Sequence, residues 1–564
     1  MSSISISTIT TTGVSTTGRN EDGVWIGPDL NISRSPLDKK LYRQVIIQKN
    51  GLRILLVSDT IAMMEEENDD LYDDDDDLYE EEEEGSEGDS EEGEESEDEE
   101  EDGIRNAAVA VVVKAGSYDD PKECQGMAHF LEHMLFMGTE EYPDENAYDV
   151  FVNTHGGSDN AYTEMEYTLY HLEIPQTYLK KGMNMLSQFF SGTALLRPDA
   201  VDREVNAIES EFQLSYQNDS CRQQQLYCHT SSHPQQDMFA WGNLKSLIHI
   251  PKNKYPQFNV MDSLRTFYQS HYHAQNINVV VMGAYSLDQL QQYVLQSFSC
   301  IPPSPTYTYS SNCNPWKTLH QQQLQQEQTK RQCPFHNNIH STDETTCQVY
   351  RLIPVKDRHA LTITWQLPCQ KNVWESKPCD VIALLLGHES QGSILSYLKS
   401  QQWVQACYAG IGNGGLEQAS THALFTMTYT LTQPGVNQWK EIVKYTNLYI
   451  GMIRHYLHNH TMPQFIWDDF QTISQCSFNY QEEQSPIDTV EELAERLGST
   501  FLPPDRLLDG PHLLFDYKPQ LIQVRHHYNS TIFFGLFFFE IHAHSLIHTN
   551  NDHFTPNNSI WNDD

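Results

Sequence analysis

Strand-like runs alternate along this chain with long helical patterns, and 564 residues (65.0 kDa) suffice for two to four separate cores, so an α+β protein of layered sheets and helices is expected. No stretch of about 18 apolar residues exists, which excludes a helical membrane span. The chain opens with MSSISISTITTTGVSTTGRN, which lacks the basic start and apolar core of a signal peptide. Export by the ordinary route is therefore not expected, and residues 1–38 read as a disordered segment.

A first domain is expected over residues 39–301. It begins with a strand pair, Tyr42–Lys49 and Arg53–Ser58, and continues through a strand over Asn106–Lys114. Between these lies the acidic insertion, residues 65–102, with 27 Asp and Glu and no Lys or Arg. Without it the formal net charge of −43 would be −16. Like charges without apolar surface predict disorder, and a long loop between two strands adds little closure entropy. The negative balance argues against a nucleic-acid partner and for basic ones: basic peptides, basic proteins or polyamines.

The segment Cys124–Gly138 (CQGMAHFLEHMLFMG) reads as a buried helix, almost wholly apolar, that carries His129, Glu132 and His133. Positions i and i+4 lie one above the other and i+3 shares their face, so both imidazoles and the carboxylate converge. Burying them without partners would be costly, and two neutral imidazoles are ordinary zinc ligands. Downstream, in VDREVNAIESEF, Glu204 and Glu211 stand two helical turns apart and share a face. Glu211 could complete a His2Glu set with one position open for water; a solvated acidic helix face explains the same spacing.

Past the turn at His155, Gly156 and Gly157, the alternating run Asn160–Ile174 reads as one strand. A Pro, Ser and Tyr stretch from Pro302 leads into the glutamine-rich residues 320–332, so residues 302–346 read as a linker and low-complexity insertion. A second domain follows over 347–525, with a strand at Ala360–Gln366 and a helix over Val381–Lys399. Its Gly387, His388 and Glu389 echo the first domain's helix but lack the H-x-x-E-H spacing, so no metal is expected there. Residues 526–564 read as a divergent tail without clear period. Its IFFGLFFF, Ile532–Phe539, is too short for a membrane span. Eleven scattered cysteines without a C-x-x-C pair suit reduced thiols in a cytoplasmic protein.

H-x-x-E-H is the inverzincin signature. The stretch HFLEHMLFMGTEEYPDENAYDVFVNTHGGSDNAYTEMEYTLY, with DREVNAIESEF after it, resembles the pitrilysin and insulin-degrading-enzyme family of metallopeptidases. An acidic block before the zinc helix is similar to the family's dibasic-directed branch. The resemblance runs from about Leu37 to about Gln523 and includes RLIPVKDRHALTITWQLP and LLLGHESQGSILSYLK. It implies two homologous α/β-layer domains, each a mixed, mostly antiparallel sheet packed with helices, the first active and the second inactive. Together they would form the first half of a clamshell peptidase.

By the same resemblance one zinc sits on His129, His133 and Glu211, with Glu132 as general base and Glu204 as a supporting acid. A zinc-bound water, its pKa lowered toward about 7, would be deprotonated by Glu132. Asn160 and Ala161 would hold an extended substrate as an added strand. The edge strand with Tyr408, Ala409 and Gly410 would anchor the substrate's amino end, although the glycines of IGNGG are equally explained as a turn. The implied activity is hydrolysis of peptides near paired basic residues. A partner chain could supply a second half, and the alternative is a catalytically weak, truncated form that binds basic peptides or partners through the acidic loop.

Overall fold

The computed structural model describes residues 20–21, 23–59, 105–230, 238–307, 315–316, 348–356, 358–499, 501–524 and 534–539. The acidic insertion, the glutamine-rich stretch and most of the tail, with its His542, His544 and His548, lie outside them.

Two sheets organise the described residues. The first contains β1 (Asn20–Glu21), β2 (Val24–Ile26), β3 (Leu41–Ile47), β4 (Arg53–Ser58), β5 (Asn106–Val113), β6 (Ser158–Thr163), β7 (Thr168–Pro175) and β8 (Ile277–Gly283), in the order β1-β2-β3-β4-β8-β5-β7-β6. The second contains β9 (Gln348–Leu352), β10 (Ala360–Pro368), β11 (Val404–Ile411), β12 (His422–Leu431) and β13 (Phe534–Phe539), in the order β11-β12-β10-β13-β9. The succession β6-β7-β5-β8-β4 recurs strand for strand as β11-β12-β10-β13-β9. In each the only parallel contact is between the last two strands, β4 with β8 and β9 with β13. The mixed, mostly antiparallel α+β architecture expected from the sequence is thus present, twice, in one topology.

Apolar runs explain the depth of the first sheet. β5 reads NAAVAVVV and β8 reads INVVVMG, continuous rather than alternating, and their side chains from position 107 and 277 onward are buried on both faces. Such a sheet must be covered twice. One face carries helices α1 (Met127–Leu135), α2 (Ala147–Thr154) and α3 (Leu179–Gln188), in a core that includes Val109, Val111, Phe130, Leu131 and Phe190. Helix α4 (Val201–Tyr216) joins it through Val205 and Ile208, and α5 (Asp219–Thr230) follows.

Several boundaries differ from expectation. Residues 20–26, read as disordered, add β1 and β2 to the sheet; Val24 and Trp25 are buried where β2 pairs with β3, which the polar residues before them hid. The run Asn160–Ile174 is not one strand but the hairpin β6–β7. Glu164, Met165 and Glu166 turn it, and the alternation survives because both arms show the same faces. The expected helix Val381–Lys399 is two: α6 (Pro378–Leu386) and a second over Ile394–Ser400, separated where Gly392 takes φ +93° and Ser393 caps the second. The tail contributes β13 to the middle of the second sheet.

The largest difference concerns α7 (Pro486–Gly498). Its sequence position assigns it to the second domain, yet it covers the other face of the first sheet. Val490, Leu493, Ala494 and Leu497, at i, i+3, i+4 and i+7, meet Leu55, Ala108, Ala110, Val280 and Met282. Reciprocally, Tyr227 of α5 reaches the second sheet, its hydroxyl 2.9 Å from Thr364 Oγ1. Leu497 is fully buried, so Leu497→Ala is expected to cost about 2–5 kcal/mol, read as a lower denaturant midpoint. No described helix is long and apolar enough to cross a membrane.

Candidate metal centre

Helix α1 is nearly all core: Met127, Ala128, Phe130, Leu131, Met134 and Leu135 have no solvent exposure. Its entry is tightly built. Gly126 takes φ +89°, and a Cβ there would stand 2.2 Å from the Gly242 Cα, so only glycine fits. Asp120 accepts hydrogen bonds from the Gly126 and Ala128 amides at 2.6 and 2.8 Å, satisfying two donors at the helix start. Burial nevertheless pushes the Asp120 carboxyl up to about 7.

What remains for the polar stripe of α1 is one opening. His129 and His133 meet there with ring centroids 4.9 Å apart and edge to face. Glu211 of α4 reaches both imidazoles with a single oxygen, 3.3 Å from His129 Nε2 and 3.4 Å from His133 Nε2. The opposite ring nitrogens are engaged as well. His129 Nδ1 donates to the Trp241 carbonyl at 2.6 Å, and His133 Nδ1 faces Glu204 Oε2 at 3.4 Å. With Nδ1 engaged in this way, each Nε2 donates to Glu211 while the ring is protonated, and is the nitrogen left to bind a cation once that proton is lost. Arg203 Nε in turn donates to Glu204 Oε1 at 3.0 Å, fixing that carboxylate from behind.

These donors suit a tetrahedral cation. One ligand atom each from His129, His133 and Glu211 lies within 4.8 Å of the others. Ligand bonds of about 2.0–2.1 Å imply ligand–ligand edges of about 3.3–3.4 Å, the separations found between the imidazoles and Glu211. Charge fits too. Burial alone would lower His133, but Glu204 and Glu211 outweigh it and push it up to about 9. The same opposition raises His129, where Glu211 and Glu132 prevail over burial. Hydrogen bonds from His129 and His133 hold Glu211 well below the usual carboxylate range. A divalent cation would replace the protons that these carboxylates now stabilise.

Glu132, between the two histidines in sequence, is only 7 % exposed and is raised by its burial, partly offset by His129. Its Oε2 accepts a hydrogen bond from Thr163 Oγ1 at 2.6 Å. The opening leads into a cavity of 630 Å³, lined by Phe136, Met137, Phe212 and Trp241 together with Asn160 and Ala161 of β6. Among the described residues strand β6 pairs only with β7, which leaves its other edge for an added strand. Tyr408 and Gly410 lie elsewhere, on β11 at the edge of the second sheet, outside this cavity. Tyr408 is 68 % exposed. Sequence reasoning brought together His129, Glu132, His133, Glu204 and Glu211, and missed Asp120, Thr163 and Trp241. Thr163 and Trp241 are joined to α1 only by the tertiary fold, and Asp120 by a loop whose shape no helical spacing gives.

The acidic insertion leaves β4 after Ser58 and returns before β5. Asn106 pairs with Pro175, whereas Glu132 bonds Thr163, which pairs with Thr168 at the other end of β7. Along the strands, the insertion's attachment at Asn106 lies about 23 Å from the Thr163 end at ~3.3 Å per residue, with Asn160 and Ala161 of the cavity between them.

Comparison with known proteins gives a consistent set of matches. Residues 98–235 match the family model described as insulinase (peptidase family M16), and residues 259–457 match the peptidase M16 inactive domain. Nardilysin of Rattus norvegicus is 36 % identical over 424 residues, 74 % of this chain and 33 % of the relative. The A-factor-processing enzyme of Saccharomyces cerevisiae is 31 % identical over 419 residues, 74 % of this chain and 37 % of that relative. The chain thus spans about a third of the length of the curated relatives it matches. Among solved structures, pitrilysin superposes with a TM-score of 0.71 at 20 % identity, over 92 % of this chain and 46 % of that one. A protease from Helicobacter pylori gives 0.57 at 16 % identity, over 89 % of this chain and all of that one.

Proposed function

Because the chain belongs to the insulinase family, peptidase family M16, as a nardilysin-like member, we propose that it is a zinc-dependent metalloendopeptidase that cleaves peptides near paired basic residues. The observation that carries this reading is the convergence of His129, His133 and Glu211 within 4.8 Å at the mouth of a cavity edged by the open strand β6. These three residues would hold one zinc. Bound there, it would polarise a peptide carbonyl and lower the pKa of water. Glu132 stands on the same helix face and takes the proton as the nucleophile forms. Glu204 and the Trp241 carbonyl fix the imidazole rings. The backbone of Asn160 and Ala161 pairs with an extended substrate, and Tyr408 and Gly410 on the free edge of β11 anchor its amino end. The described cysteines form no disulfide with one another, which suits the cytoplasmic setting proposed with this activity.

The test is turnover. Hydrolysis of a dibasic peptide is expected from the chain loaded with one zinc, lost to a chelator and restored by one equivalent of metal. A chain that holds zinc without cleaving would leave the second reading, a binding protein for basic peptides or polyamines. The 27 acidic residues of the insertion favour that reading. If the insertion recruits basic substrates, high salt raises KM more in the native chain than in one lacking residues 65–102. Equal salt responses would remove it from substrate capture. A partner chain completing a second half is testable by the same assay, as a gain in kcat on adding the corresponding half of a relative.

Zinc uptake should also depend on pH. His133 without metal is held up to about 9, above its ordinary 6.5, so its protonated pairing stabilises the metal-free fold fully below 6.5 and is lost as pH rises through about 9. Zinc needs the neutral imidazole, so its affinity should run the other way and strengthen between those values. Isothermal titration in buffers of different ionisation heat would show protons released on binding at pH 7.

A further inference from the structure

Resting on the peptidase reading above, we propose that Thr163 is a positioning residue for Glu132, and that its alignment depends on the second sheet's loop gripping the turn beside it. Thr163 is the last residue of β6, and its hydroxyl donates to Glu132 Oε2 at 2.6 Å. Glu132 lines the cavity, so a donor on its Oε2 restrains how that buried carboxylate is turned. Thr163 also pairs with Thr168, whose hydroxyl lies 3.4 Å away and itself donates to the Ala115 carbonyl at 2.9 Å. The Thr163 hydroxyl has therefore one carboxylate to serve.

The turn that follows is held from the other half of the molecule. Glu164 Oε2 accepts from the Gly415 amide at 3.1 Å. Glu166 accepts from both the amide and the hydroxyl of Ser420, at 2.8 and 2.6 Å. Met165 between them is buried among Leu416, Leu424 and Tyr227. A Cβ on Gly415 would come within 2.5 Å of Glu164 Oε2, so the approach is as close as the backbone allows. Residues 415–424 carry no metal ligand, yet they fix the turn one residue from the hydroxyl that orients the base. The same short strand thus offers its backbone to substrate at Asn160 and Ala161 and its last side chain to Glu132.

Thr163→Val removes the hydroxyl at nearly constant volume, and Thr163→Ser keeps it. With the zinc-loaded full chain, Thr163→Val should lower kcat about 10–100-fold with KM within about threefold, and Thr163→Ser should restore most of it. Glu166→Ala should lower kcat in the same direction by a smaller factor. A readout independent of turnover is the visible spectrum of the cobalt-loaded chain, which senses how Glu132 addresses the open coordination position. Thr163→Val and Glu132→Gln should shift its bands alike, and Thr163→Ser should match the native chain. Native-like kcat in Thr163→Val, or a native cobalt spectrum there while Glu132→Gln shifts, overturns the role of Thr163. A fall in thermal stability of Glu166→Ala with kcat and cobalt bands unchanged overturns the grip. If the native chain shows no turnover, the peptidase reading fails while the cobalt spectra still decide this one.

Discussion

Glu132→Gln is expected to leave one zinc bound per chain and to lower kcat for a dibasic peptide by about 10²–10⁴-fold, the range typical of a lost general base. The substitution is nearly isosteric in a site where Glu132 is only 7 % exposed, and the glutamine carbonyl can still accept from Thr163. Zinc content should stay at one because Glu132 is not among the three convergent donors. What the amide lacks is a basic oxygen. Metal analysis alongside steady-state kinetics checks both halves, and an unchanged rate would remove Glu132 from the chemistry.

Glu211→Ala should act differently, abolishing metal retention and turnover together. Among the described residues its one oxygen is the only carboxylate atom facing both Nε2 atoms, and a catalytic zinc needs three protein ligands. Two imidazoles alone should lose zinc on dialysis. By contrast, Glu204→Gln removes only the support behind His133 and should weaken zinc by about 10–100-fold without abolishing it. Zinc retained at native affinity in Glu211→Ala would mean that another group completes the site.

Much of this site was legible because helical spacing is short-range geometry. His129 and His133 at i and i+4, and Glu204 and Glu211 two turns apart, share faces whatever the rest of the chain does. Strands β3, β4 and β5 were legible for a similar reason, being uninterrupted apolar or alternating runs. The hairpin β6–β7 was not, because Glu164 and Glu166 keep the polar alternation running through the turn. The bond from Thr163 to Glu132 and that from His129 to Trp241 join residues brought near only by packing. Likewise α7 shows in sequence which face is apolar, but not which sheet that face will cover. The strand β13 sits far along the chain from β9 and β10, and no local pattern announces a partner at that distance.

The reach of α7 back to the first sheet has a consequence for how the chain is made. Strand β8 completes that sheet at Gly283, but the helix that covers its second face begins only at Pro486. At about 5–20 residues per second, roughly two hundred residues must still emerge from the ribosome, so the face of Leu55, Ala108 and Val280 stays wet for about 10–40 s. During that interval the nascent chain presents a broad apolar sheet surface, the kind of substrate that a holding chaperone recognises.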